Sequence, residues 1–372
     1  MPKIFELFGF PITTNTQEAL AHREAAKCPF MNCQCDGGGN RFASNIDLTK
    51  NPELKNFFGK KNEVPSGVCS IQLNENQSPW IVCPRRLLVL GREDANFQHN
   101  YQNAIEAQIL EVAKFQKGVK VGIWAEVKLR LSEISEDEDE PDKSFHYTFD
   151  YVLMPIGSIS QIEIVKILGG NWATWSKLLA KAGFVIARRG KLDYVEDFPI
   201  GVPYIIEVMT SSTSGGNKTK RTTIPQAFED AILGKPHNAP SINKRQVWAR
   251  MVSQLIVKSE VALNWGGKAL WLIQDNLADY ISESTALDLR KFVAKNLSEV
   301  NLLSFGYGKL KSNKTGIIEL QPQNLFAGPI SANTSNAKPS FSDLIRTAFK
   351  PPIKELILAL VKHKRINQVT IK

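Results

Sequence analysis

Two carboxylates stand in segments that otherwise read as buried β-strands. Asp150 interrupts the apolar and aromatic run FHYTFDYVLM, and Glu207 is the only charge in VPYIIEVM. Carboxylates are almost never fully buried unless something pairs with them, so two in such strands mark a candidate site. Side chains alternate along a strand, so Met209 faces the same way as Glu207. Such a pair suits magnesium, which takes one or two protein carboxylates and keeps several waters. The chemistry this permits is metal-assisted hydrolysis, in which the ion polarises a phosphate and supplies hydroxide. Glu126 in IWAEVKLRL and Glu106 on the preceding stretch can add a further carboxylate, although residues of this kind are more often plain surface. Lys258, in LIVKSE, can lend the charge that Met209 lacks.

Cysteine forms the second chemically informative set. All five, Cys28, Cys33, Cys35, Cys69 and Cys83, lie in the first quarter of the chain. Four thiolates around one ion make a closed tetrahedral site with no position left for substrate. The run CPFMNCQC offers Cys28 with Cys33 or Cys35, while GVC and IVCP offer Cys69 and Cys83. The competing reading is a set of unligated small core residues. No CxxC pair exists to support a redox role.

Those cysteine phrases resemble the N-terminal metal-binding segment of the NotI-like type II restriction endonucleases, over about residues 28–86. The resemblance implies that Cys28, Cys69 and Cys83 hold a structural iron, with Cys35 as the fourth ligand and Cys33 its rival. Zinc would satisfy the same ligands. The later strands are also similar to that family, in which an aromatic-Asp-aromatic strand precedes a strand ending in Glu, an apolar residue, Gln and Thr. Thr210 keeps the threonine, but Met209 replaces the glutamine, where most relatives of the wider PD-(D/E)xK fold carry lysine. The resemblance implies that Asp150 and Glu207 bind magnesium, with Met209 in the family's third position. It further implies a homodimer acting on double-stranded DNA, with a cognate methyltransferase acting on the same site.

The positioning elements read as mixed α/β, with a PD-(D/E)xK restriction-endonuclease-like core and a small four-cysteine module. Expected boundaries are 1–92 for the module and 93–372 for the catalytic domain, with an insertion at about 157–199. From Cys28 to Cys83 the chain is rich in Gly, Asn and Pro, so little core is expected there and a metal staple is needed. Helical spacing appears in TQEALAHREAAK, about 94–115, NWATWSKLLAKAGF, QAFEDAIL, 244–263 and the amphipathic C-terminal PPIKELILALVKHK. VKVGIWAEVKLRL alternates as strand, KALWLIQ reads as a buried strand, and the acidic SEISEDEDEPD reads as a solvated loop.

The net charge of +9 favours a polyanionic partner. Lys218, Lys220 and Arg221 in GGNKTKR, with Lys244 and Arg245 in NKRQVWAR, are the candidate phosphate contacts. Arg188, Arg189 and Lys191 give the insertion a basic face as well. No phosphate-binding G-x-x-x-x-G-K-S/T loop occurs, so an ATP-driven enzyme is unsupported. No signal peptide or membrane-length apolar run is evident, and the expected setting is the prokaryotic cytoplasm. The rival readings are a non-catalytic metal-module DNA-binding protein and a repair or CRISPR-associated nuclease with an iron–sulfur cluster.

Overall fold

In the computed structural model the described residues are 1–38, 45–91, 101–133, 143–284, 289–330 and 351–371. The acidic stretch 134–142 and the start of the stretch at 94–115 lie outside them. The chain opens with β1 (Lys3–Leu7) and β2 (Phe10–Pro11). Then comes α1 (Gln17–Ala25), capped where the Ala19 N–H donates to the Thr16 hydroxyl at 3.2 Å. A tight hairpin of β3 (Lys27–Cys28) and β4 (Cys33–Gln34) follows. Next are β5 (Asn45–Asp47), α2 (Pro52–Phe58), β6 (Glu63–Pro65), β7 (Val68–Gln72), β8 (Trp80–Ile81) and the single turn α3 (Pro84–Leu87). β1, β2, β7 and β8 form one small sheet in the order β2-β1-β7-β8.

The large sheet begins after α4 (Asn103–Ala113), with β9 (Lys120–Glu133) and β10 (Lys143–Ser160) as a long antiparallel pair. Helices α5 (Gln161–Leu168) and α6 (Trp172–Lys181) lead to the hairpin β11 (Ile186–Arg189) and β12 (Leu192–Pro199). β12 returns to pair with the end of β10, Ile156 opposite Pro199 and Ser160 opposite Tyr194. The segment 157–199 therefore widens the sheet. Its Arg188 and Arg189 bond to Asp193 and Glu196 of the same hairpin.

β13 (Tyr204–Val208), β14 (Lys268–Gln274) and β15 (Val300–Gly306) run parallel. Such pairing needs crossover connections, here α7 (Ile224–Ile232) with α8 (Lys244–Asn264), and then α9 (Asp275–Ser284). β16 (Gln321–Gly328), α10 (Ile353–Lys362) and β17 (Asn367–Thr370) complete the structure, with β17 on the free side of β9. The protein is a mixed α/β structure. Among the described residues no helix is long and apolar enough to cross a membrane.

The expectation of little core between Cys28 and Cys83 is corrected. Phe30, Leu48, Leu54, Phe58, Val64, Ile71 and Trp80 are all buried. Each short apolar run contributes one or two side chains, and most join a cluster with Met209, Phe228, Val247 and Met251 from beyond residue 93. The burial is non-local, which a segment read by itself cannot reveal. Polar bonds cross the same boundary: the Ile81 N–H donates to Gln274 Oε1 at 2.8 Å, and Gln274 Nε2 donates to the Pro79 carbonyl at 2.5 Å.

Candidate active site and metal centre

β9 and β10 keep one register along their length, with Phe149 opposite Val127 and Tyr151 opposite Ala125. Asp150 therefore stands beside Glu126. On the other side Tyr151 pairs with Ile206, which brings Asp150 alongside Glu207 where the ladder to β13 ends. Instead of continuing that ladder, the Val208 N–H donates to Asp150 Oδ2 at 2.8 Å. Three carboxylates thus follow one another across adjacent strands.

Both long strands change face at this point. One core cluster takes Trp124, Val127 and Leu129 from β9 and Phe149, Val152 and Met154 from β10. Strict alternation would put 124 and 127, or 149 and 152, on opposite faces. The break falls in step at Glu126 and Asp150, so the register survives, and Glu126 adopts φ +50°. Backbone strain of this kind is a cost, and it sits at the carboxylates.

Glu207 is buried at 3% exposure under α8. Lys258 Nζ lies 2.5 Å from Glu207 Oε2 and donates to the Thr148 carbonyl at 2.7 Å. Burial pushes the Glu207 carboxyl up to about 8, and the nearby Asp150 adds to the rise, while Lys258 opposes it. Among the described residues Glu207 Oε1 is buried with no hydrogen-bond partner. Met209 follows Glu207 on the α8 side and packs in the core at 5% exposure, so its role there is apolar filling.

A cavity of about 50 Å³ opens at Asp150, and Glu126, Tyr151, Val208, Gly38 and Arg85 also line it. Arg85 carries little signal in the sequence. Its one local signal is the basic pair directly after Cys83 and Pro84. Glu106, the other candidate carboxylate, sits in the first turn of α4.

Cys28, Cys35, Cys69 and Cys83 line a second cavity of about 20 Å³, room for one ion or water rather than a substrate. Cys33 pairs with Cys28 across the β3–β4 hairpin but is exposed, its thiol donating to the Gln34 carbonyl. Burial raises the Cys28 thiol well above its ordinary value and pushes Cys35 up to about 12. A hydrogen bond between Cys69 and Cys83 raises Cys69 and lowers Cys83, and backbone N–H groups of Arg86 and Arg85 also favour the Cys83 thiolate. The Gly9 N–H points at Cys69 Sγ from 3.3 Å. Gly38 has φ +82°, and a Cβ there would stand 3.4 Å from Cys83 Sγ. Among the described residues, no three His, Cys, Asp or Glu side chains stand at metal-ligating separation.

The basic candidates divide. Lys218, Lys220 and Arg245 are exposed. Arg221 donates to Asp230 from both Nε and Nη2, at 3.0 and 2.7 Å. Lys244 Nζ stands 4.7 Å from the centre of the Trp80 ring and 5.7 Å from that of Tyr280. Arg221 and Lys244 therefore have intramolecular partners to leave before meeting a phosphate. No protein-family model matches the chain, and no curated protein matches it.

Proposed function

We propose that this chain is a type II restriction endonuclease that hydrolyses phosphodiester bonds of double-stranded DNA, with magnesium, on a PD-(D/E)xK-like core. One observation carries the reading. Asp150 and Glu207 meet where the β10–β13 ladder opens, and the second of them leaves a buried carboxylate oxygen unpartnered. Such an oxygen is costly unless something binds it, which fits a hard cation. Asp150 and Glu207 would hold the magnesium, and Glu126 lines the same cavity as Asp150. When bound, the ion supplies Lewis-acid polarisation of the phosphate and makes its bound water more acidic. The chain's own groups do the rest. The Val208 N–H fixes the Asp150 carboxylate, and Lys258 favours the ionised form of Glu207 against its burial. Met209 holds no proton to give and none to take, so water orientation falls to the carboxylates and Lys258.

The second metal would be iron or zinc on Cys28, Cys35, Cys69 and Cys83. The four thiols line one 20 Å³ space with room left by the small Gly38 beside Cys83, and an ion bound there would draw them in to ligating distance. A homodimer with two-fold symmetry would present one site to each strand of a palindrome. A cognate methyltransferase would share the recognition sequence.

Supercoiled plasmid incubated with magnesium tests the reading. Discrete fragments support a restriction enzyme, and smearing indicates a less specific nuclease. Binding without cuts indicates a non-catalytic DNA-binding protein.

A further inference from the structure

The two cavities share a wall made by Gly38 and Arg85. Arg85 stands in α3, a single turn fixed at both ends. At its start, half-buried Cys83 shares a hydrogen bond with Cys69. At its end, Arg86 is fully buried and meets Glu6 through Nε and Nη2 at 3.0 Å each, and Nη2 also donates to the Ile318 carbonyl at 2.5 Å. Glu6 in turn accepts from the Ser70 hydroxyl at 2.9 Å and from the Tyr307 hydroxyl at 2.6 Å. Gln102 Nε2 donates to the Arg85 carbonyl at 3.0 Å. The backbone beneath Arg85 therefore has little freedom.

The side chain is directed as well. Arg85 Nε donates to Asp36 Oδ2 at 3.0 Å, one residue after Cys35. Nη2 reaches toward Glu126 Oε1 but stops at 3.7 Å, beyond hydrogen-bond length. An arginine side chain stays protonated in proteins. A permanent cation thus faces the cavity of Asp150, with one edge anchored and the other loosely held.

We propose that Arg85 is a catalytic residue that grips the scissile phosphate beside Asp150, and that the cysteine module places it there. This rests on the nuclease reading above. A guanidinium offers paired N–H donors that match phosphate oxygens, and a phosphate entering the Asp150 cavity competes with the long contact to Glu126 and with Tyr151. The Asp36 bond stays and keeps the fork oriented. The charge on Arg85 also offsets that of the neighbouring carboxylates, which would otherwise repel the phosphate.

The cut position is first read from the ends that the wild-type protein makes in plasmid DNA with magnesium. Duplexes are then prepared with either a normal phosphate or a neutral methylphosphonate at that position. Binding is measured in calcium for the wild type, Arg85→Ala and Arg85→Lys, together with single-turnover cleavage in magnesium. Arg85→Ala should cut at least about a hundredfold more slowly, and Arg85→Lys should recover part of the loss. Methylphosphonate should weaken wild-type binding but leave Arg85→Ala binding nearly unchanged. A purely structural role would not produce that coupling. Thermal unfolding and cysteine-bound metal content should match wild type. Wild type that cuts, with Arg85→Ala that cuts equally well or with additive effects of variant and methylphosphonate, overturns the role of Arg85 alone. Loss of folding in Arg85→Ala passes the decision to Arg85→Lys, where unimpaired cleavage overturns it. Wild type that never cuts defeats the nuclease reading and this inference with it.

Discussion

Lys258 Nζ lies 2.5 Å from Glu207 Oε2, and both side chains are buried between α8 and the sheet. The contact needs the crossover that carries α8 back over β13. Removing one partner of such a pair leaves an uncompensated buried charge. Burial nevertheless raises the Glu207 carboxyl to about 8, against the pull of Lys258 toward the ionised form.

That balance predicts a pH dependence. Magnesium needs the carboxylate, so binding at Glu207 must expel a proton. At subsaturating magnesium, single-turnover cleavage should rise with pH until about 8, where Glu207 ionises, and flatten above it. Higher magnesium should move the rise to lower pH. A profile that is flat from about pH 6 upward would show that Glu207 is already ionised in the free protein.

Stability should move the other way. A carboxyl raised in the folded state stabilises fully below its unfolded value of 4.5, and the contribution fades as pH rises through about 8. In a metal chelator, Tm should therefore fall between those limits through this group. The Glu207→Gln variant should show a smaller fall. Identical Tm-versus-pH curves for the two proteins would contradict the raised value.

Met209 separates packing from chemistry. Its side chain is buried in the core with Val247 and Met251. Met209→Ala should slow cleavage less than about tenfold, roughly 1.4 kcal/mol in barrier. It should still cost about 2–5 kcal/mol of stability through the cavity it leaves. Glu207→Ala should slow cleavage at least about a hundredfold, roughly 2.7 kcal/mol. Equal rate losses, measured at saturating enzyme, would mean that Met209 does more than fill space.

For the thiols, Cys69→Ala and Cys83→Ala should each lose the metal and lower Tm. Cys33→Ala, with its exposed side chain, should change neither. Elemental analysis of freshly purified protein provides the measurement. Wild type without iron or zinc would refute the metal centre, and metal lost on Cys33→Ala would replace Cys35 with Cys33.

The elements were more legible than their meetings. The apolar periodicity of 244–263 marks a helix that runs Lys244–Asn264, and KALWLIQ is β14. Asp150 and Glu207 stood out because each is a lone charge in an apolar strand. Lys258 showed no local reason to reach Glu207, since that contact depends on how α8 crosses the sheet. Glu126 is exposed, as a surface residue is, and only the coordinated break in two strands sets it beside Asp150. Arg85 looked like its neighbour Arg86, and only the tertiary structure separates the buried anchor from the residue that faces the Asp150 cavity.

The most direct test compares wild type with Asp150→Asn on the same supercoiled plasmid in magnesium. Asparagine keeps the size of the side chain and an oxygen for the Val208 N–H, but removes the anionic ligand. The account predicts discrete fragments from wild type and no cleavage by Asp150→Asn, with DNA affinity in calcium nearly equal for the two. Cleavage by purified Asp150→Asn at close to the wild-type rate would contradict it, because the strand junction at Asp150 could not then be where the phosphodiester is cut.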